Sequence, residues 1–144
     1  MKISPLKSAS KRDVSALIAL SSELHESSKT SPKKALENIR HLLKNRDASL
    51  LVVRDGSEIA GMATLFVLQK IPKRVASVED VIVSGSYRGR GIGEKLMKAI
   101  IQEAKRRGVS SIYLTSRPSR VAANKLYSKL GFKKRETNVY RLSF

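Results

Sequence analysis

One stretch limits the folds open to this chain more than any other: Arg88-Gly89-Arg90-Gly91-Ile92-Gly93. An apolar run, Val81-Ile82-Val83, precedes it. From Gly91 to about Arg107 the apolar side chains Ile92, Leu96, Ala99, Ile100 and Ala104 recur at helical spacing. Strand, glycine loop and helix in that order gather main-chain N–H groups at a helix start, where the dipole favours an anion. Glycine lets the backbone take a positive φ and approach a bound group closely. The pattern predicts a pyrophosphate-binding turn in an α/β domain.

The rest of the chain can be read around that turn. Lys2 to Lys7 predicts a first strand. Ser10-x-x-Asp13 starts a helix whose stripe is Val14, Leu17, Ile18, Ser21 and Leu24. Ser27 to Ser31 is a polar loop. Ser31 caps a second helix with Pro32 in its first turn and an apolar face of Leu36, Ile39, Leu42 and Leu43. Leu50 to Arg54 is a strand, Asp55-Gly56 a hairpin turn, and Ile59 to Gln69 the returning strand. Val75 to Val83 leads into the glycine loop, and Gly108 stops the helix that follows. Ile112 to Thr115 is a strand and Ser119 to Leu130 a helix closed by Gly131. Two short strands are predicted in the tail, at Phe132–Arg135 and Val139–Leu142. The order β-α-α-β-β-β-α-β-α-β-β describes one α/β domain, residues 1–144, with a mixed sheet. No repeat or linker divides it.

Three features together are similar to the GNAT superfamily of N-acetyltransferases. Arg88-x-x-Gly91-x-Gly93 resembles its Gln/Arg-x-x-Gly-x-Gly/Ala signature. Val81-Ile82-Val83 stands before it at the usual distance, and Ala123-Asn124-Lys125-Leu126-Tyr127 with Gly131-Phe132 resembles the family's C-terminal motif. The element order agrees over nearly the whole chain, with the first 45 residues alike only in pattern. The resemblance implies a central mixed, mostly antiparallel sheet flanked by helices, with two strands splayed to bind acetyl-CoA.

It also implies a chemistry: transfer of an acetyl group from acetyl-CoA to a primary amine of a protein, peptide or small molecule by direct attack. Gly89, Arg90, Gly91, Ile92, Gly93 and Glu94 would offer N–H groups to the pyrophosphate. Arg88 and Arg90 either add charge there or stay solvated. The main chain of Val81, Ile82 and Val83 would pair with the pantetheine arm like an added strand, and an N–H there would polarise the thioester carbonyl. An ordinary lysine-like amine has a pKa of ~10.4, so a group must take its proton. Glu79 and Asp80 are the candidates, Glu79 preferred, against a plain surface salt bridge. Alternation puts the two on opposite faces unless a bulge intervenes. By resemblance Tyr127 protonates the leaving thiolate, a role compatible with its ring packing in the core. Asn124, on the same helix face, reaches the pantetheine or the loop. Many relatives carry asparagine seven residues before the tyrosine; this chain has Arg120.

Charge and composition bound the partners. The chain carries 29 Lys/Arg against 12 Asp/Glu, a net +17, and residues 73–144 hold 17 of the basic and 5 of the acidic groups. Such a field suits a polyanionic coenzyme, and beyond it an acidic protein or an RNA-linked amine as acceptor. The alternative function is a non-catalytic basic module that binds nucleic acid or ribosome and retains a coenzyme site. With 5% aromatics and no Trp, little is available for base stacking. Zero cysteines exclude an acyl-cysteine intermediate and a thiolate metal site, and fit a cytoplasmic protein. The two histidines, His25 and His41, fall in separate predicted helices, so no metal site is expected. No run reaches membrane-spanning length. A monomer or a homodimer is expected.

Overall fold

The computed structural model describes residues 1–24 and 31–144. The element order is β1 (Lys2–Pro5), α1 (Lys11–Leu24), α2 (Pro32–Lys44), β2 (Ala48–Asp55), β3 (Glu58–Gln69), β4 (Arg74–Val83), a single 3-10 turn (Gly85–Tyr87), α3 (Ile92–Arg106), β5 (Ile112–Tyr113) and α4 (Val121–Lys129). The predicted loop at Ser27 to Thr30 and the placement of His25 lie outside the described residues. Among the described residues no helix is long and apolar enough to cross a membrane, and no cluster of side chains could hold a metal ion.

The five strands lie in sequence order, antiparallel except for the parallel β4–β5 pair. Strand periodicity sorts the core into two layers. Leu51, Val53, Ala63, Leu65, Ala76 and Val78 pack under α3, whose Ile92, Leu96, Met97, Ile100 and Ala104 are buried against them. On the opposite face Leu50, Val52, Ile59, Met62 and Ile82 meet Leu17 and Leu20 of α1, with Ile39, Leu42 and Leu43 of α2 at the margin. Because both faces of the sheet are covered there, Leu50 to Val53 reads as an unbroken apolar run rather than an alternating one.

Local signals set most boundaries. The Ser31 hydroxyl accepts from the Lys34 N–H at 3.3 Å, capping α2 with Pro32 as its first residue. At α1, Ser10 and Asp13 cap reciprocally: the Ser10 N–H donates to Asp13 Oδ2 at 3.0 Å and the Asp13 N–H to Ser10 Oγ at 3.2 Å. Arg54 of β2 then reaches Asp13 Oδ1 at 2.7 Å, tying the start of α1 to the sheet. β1 stops at Pro5, short of the predicted Lys7, with one further bond from the Leu6 N–H to the Leu50 carbonyl at 2.8 Å.

The tail departs from expectation. Neither Phe132–Arg135 nor Val139–Leu142 is a strand. Phe132 packs on Tyr127, but Val139, Tyr140, Leu142 and Phe144 are exposed, so their alternation finds no sheet face to cover. The intervening Lys133-Lys134-Arg135 run favours solvent over a ladder.

Candidate active site

The site begins where β4 and β5 part. Their ladder has two pairs, Ala76 with Ile112 and Ser77 with Tyr113. β4 continues to Val83 while β5 ends at Tyr113, two residues short of the predicted Thr115. The β4 edge from Val78 to Val83 is therefore open on the β5 side, and it includes Val81, Ile82 and Val83. Ile82 is buried beneath α1, whereas Val81 and Val83 lean toward the α3 layer.

The glycine loop follows after the single 3-10 turn Gly85–Tyr87. Gly89 and Gly91 sit at φ +75° and +70°, which an L side chain adopts only with strain. Gly91 caps α3, and its carbonyl accepts the first helical bond, from Lys95 N–H at 3.2 Å. Among the described residues no acceptor is bonded to the N–H groups of Gly89, Arg90, Gly91, Ile92, Gly93 or Glu94. A row of unmatched donors at the positive end of a 15-residue helix is what a phosphate requires. Ile92 is buried and anchors the turn in the core. A Cβ added at Gly93 would lie 3.4 Å from Leu126 Cδ2 and 3.9 Å from Val83 Cγ2, so α4 and the end of β4 both pack close to the start of α3.

Charged groups around the loop are held in set directions. Arg88 donates from Nε to the Val83 carbonyl at 2.9 Å and pairs with Glu23 of α1 at 3.0 Å. The Arg90 guanidinium lies 5.4 Å from the centre of the Tyr87 ring. Glu94 would repel an anion at the helix start, but Lys129 (2.6 Å) and Lys98 (2.8 Å) engage its carboxylate. Hydrogen bonds from Lys129 and Lys98 lower its pKa from 4.5 to about 2.

Tyr127 is half-buried, its ring edge-on to Phe132 with centroids 6.0 Å apart. Burial raises its pKa above 10, with Arg120 pulling the other way. The phenol is thus neutral and able to donate at physiological pH. Asn124 Nδ2 donates to the Arg117 carbonyl at 2.9 Å, which fixes the turn before α4. Arg120 reaches the Leu24 carbonyl at the end of α1, Nη2 to O 3.4 Å.

The carboxylates are arranged by a feature with no signal in the sequence. Thr64 pairs with Glu79 and Met62 with Ile82, so Asp80 and Val81 together oppose Ala63: a β-bulge. Asp80 has φ +52°, the one non-glycine residue with positive φ among those described. The bulge cancels the alternation. Glu79 leaves the sheet on the face of its partner Thr64, and Asp80 lines a cavity on that same face. The cavity, about 240 Å³, lies between α1, α2 and the sheet, and buried Thr64 forms part of its wall. Glu79 is exposed and accepts a hydrogen bond from the Ser77 hydroxyl. Both carboxylates therefore serve one side of the splay.

Comparison with known proteins agrees with this geometry. Residues 15–132 match the model of the acetyltransferase (GNAT) family. The chain is 32% identical over 72 residues to the ribosomal protein bS18 alanine N-acetyltransferase of Escherichia coli (strain K12), covering 50% of this chain and 49% of that one. It is 31% identical over 91 residues to glucosamine 6-phosphate N-acetyltransferase 1 of Oryza sativa subsp. japonica, covering 60% and 53%. It thus spans about half the length of the curated relatives it matches. A putative acetyltransferase from Agrobacterium tumefaciens str. C58 shares the fold, with a TM-score of 0.87 at 19% identity over 99% of this chain and 100% of that one. The family match takes in β4, the glycine loop, α3 and α4: this chain belongs to the acetyltransferase (GNAT) family.

Proposed function

We propose that the protein is an N-acetyltransferase that uses acetyl-CoA and a primary amine acceptor. One observation carries the reading: an unmatched row of N–H groups on a dipole-backed turn lies one short 3-10 turn beyond an open strand edge. The two halves fit the two halves of one ligand, a pyrophosphate and an amide-bearing arm. Acetyl-CoA supplies the acetyl group as a thioester, the acceptor nitrogen bonding the acetyl carbon as the carbon–sulfur bond breaks.

This chain's residues do the rest. Gly89 to Glu94 hold the pyrophosphate through the main chain, and Arg88 and Arg90 add charge beside it. Val81 to Val83 offer backbone groups to the arm. Glu79 takes the amine proton, directly or through water, with Asp80 beside it on the same face. Tyr127, kept neutral by burial, returns a proton to the sulfur. Asn124 acts through the Arg117 turn, which it braces.

The test is release of free thiol from acetyl-CoA across peptide N-termini, lysine peptides, amino sugars and aminoacyl-tRNA. Coenzyme A uptake is measured in parallel by calorimetry. Turnover with any amine class supports the reading. Failure to bind coenzyme A overturns it.

A further inference from the structure

Resting on that reading, we infer that the acceptor is an acidic polypeptide, steered by a basic strip between the carboxylates of the bulge and the β3–β4 hairpin. Tyr113 shares the last β4–β5 pair with Ser77, so its ring leaves the sheet on the face used by Ser77 and Glu79. The ring is 41% exposed and Glu79 is exposed beside it, so this part of the face is open. Lys70 Nζ stands 5.9 Å from the Tyr113 ring centre. The Tyr113 hydroxyl also feels Lys73 and Arg135: its pKa is lowered first by the Ser111 hydroxyl and then by these cations and Lys70.

Among the described residues, none of Lys70, Lys73 and Arg135 pairs with a carboxylate, whereas Arg12, Arg54, Arg88, Lys98, Arg106 and Lys129 all do. Like charges gathered without counter-ions repel one another, and an anionic partner relieves that cost. The strip is bordered by Ile71, fully exposed, and Leu68, 48% exposed.

Shape and composition choose the partner. Tyr113, Leu68 and Ile71 are exposed, which suits an extended chain better than an enclosed small molecule. Among the described residues the strip offers aliphatic contacts and a single aromatic ring, whereas a strand of stacked bases uses several. The charge layout is polar from end to end: Glu79 and Asp80 suit an ammonium, and the hairpin cations suit carboxylates. Ser77 and Asp80 are three residue steps apart along β4, roughly 10 Å, a span covered by about three residues of extended peptide. The acids that match the strip thus lie at about the second to fourth positions after the reacting amine.

The test uses two N-terminal peptides that differ only at those positions, Asp/Glu in one and Lys in the other. Rates are followed by thiol release with wild type, with Lys70→Glu, and with the triple variant Lys70→Glu/Lys73→Glu/Arg135→Glu. The inference expects kcat/KM at least about tenfold higher for the acidic peptide, carried by KM and shrinking as salt is raised. The preference weakens in the single variant and reverses in the triple, while coenzyme A affinity is unchanged. Equal kcat/KM for the two wild-type reactions, or an unaltered preference in folded variants, overturns the inference and leaves acetyl transfer standing. So does acetylation of small amines with neither peptide accepted. Binding of a single-stranded RNA oligonucleotide that is lost in the triple variant, without peptide preference, reassigns the strip to RNA and also overturns it. If coenzyme A itself does not bind, the acetyl-transfer reading fails first and the inference with it.

Discussion

Arg88 and Glu23 meet across the site, guanidinium Nη2 to carboxylate Oε2 at 3.0 Å, while Arg88 Nε holds the Val83 carbonyl at 2.9 Å. One side chain thereby fastens the end of α1, the end of β4 and the start of the glycine loop. An exposed ion pair adds under about 1 kcal/mol to stability, so its value lies in placement. Arg88→Ala is expected to weaken coenzyme A about tenfold by calorimetry, with little change in melting temperature. An unchanged Kd would leave Arg88 a purely architectural role.

Tyr127→Phe keeps the ring contact with Phe132 and removes the hydroxyl. A fall in kcat of about 100-fold with coenzyme affinity intact is expected for a lost proton donor. Because burial raises the phenol above its ordinary value of 10, the alkaline limb of wild-type kcat belongs above pH 10, and the variant lacks it. The same shift fixes a stability sign. The neutral phenol's contribution is complete below pH 10 and is lost as pH rises through the higher folded-state value. A wild-type limb well below pH 10 would assign the acid role elsewhere.

Glu94 gives a prediction at the other end of the pH scale. Its carboxylate, lowered to about 2 first by the hydrogen bonds from Lys129 and Lys98, remains charged at pH values where an ordinary glutamate is protonated. The stability it contributes is present above its unfolded value of 4.5 and drains away as pH falls toward 2. A carbon-detected NMR titration of Glu94 reads this directly, and Lys129→Met should move the midpoint upward. An ordinary midpoint in the wild type would mean the Lys129 contact does not persist in solution.

Asp13 and Arg54 carry more structural weight, with side chains only 10% and 28% exposed. Burial alone would raise the Asp13 pKa, but hydrogen bonds from Ser10 and Arg54 outweigh it and hold it low. Asp13→Ala removes a helix cap and strands Arg54, for an expected loss of about 2–4 kcal/mol in urea unfolding. Its wild-type contribution is present above the unfolded value of 3.8 and fades in acid. A loss below 1 kcal/mol would show that Arg54 finds solvent easily.

Much of this molecule could be read from short-range chemistry. Ser31-Pro32, Asp55-Gly56 and the α3 stripe depend on neighbours within a few residues, and each formed near its expected place. Met97, one residue beside the stripe, was not anticipated in the core; the packing of α3 against β2 and β3 buries it completely. The bulge at Asp80 had no local mark, since it arises from how β3 and β4 align over many residues. It changed the reading of the two carboxylates, from opposed faces to a shared one. The tail shows the reverse error: two short strands are expected there, yet a segment becomes a strand only where an edge and a face await it. Asn124 could be placed on its helix but not paired with Arg117, because that partner lies across a turn whose path tertiary contacts decide.

The open edge of β4 has a cost as well as a use. A strand with bare amides along one side invites any extended chain to zip onto it, including the same strand of a second molecule. Whatever occupies the cleft also shields this sticky border, so the empty protein should clump more readily on storage than the loaded one.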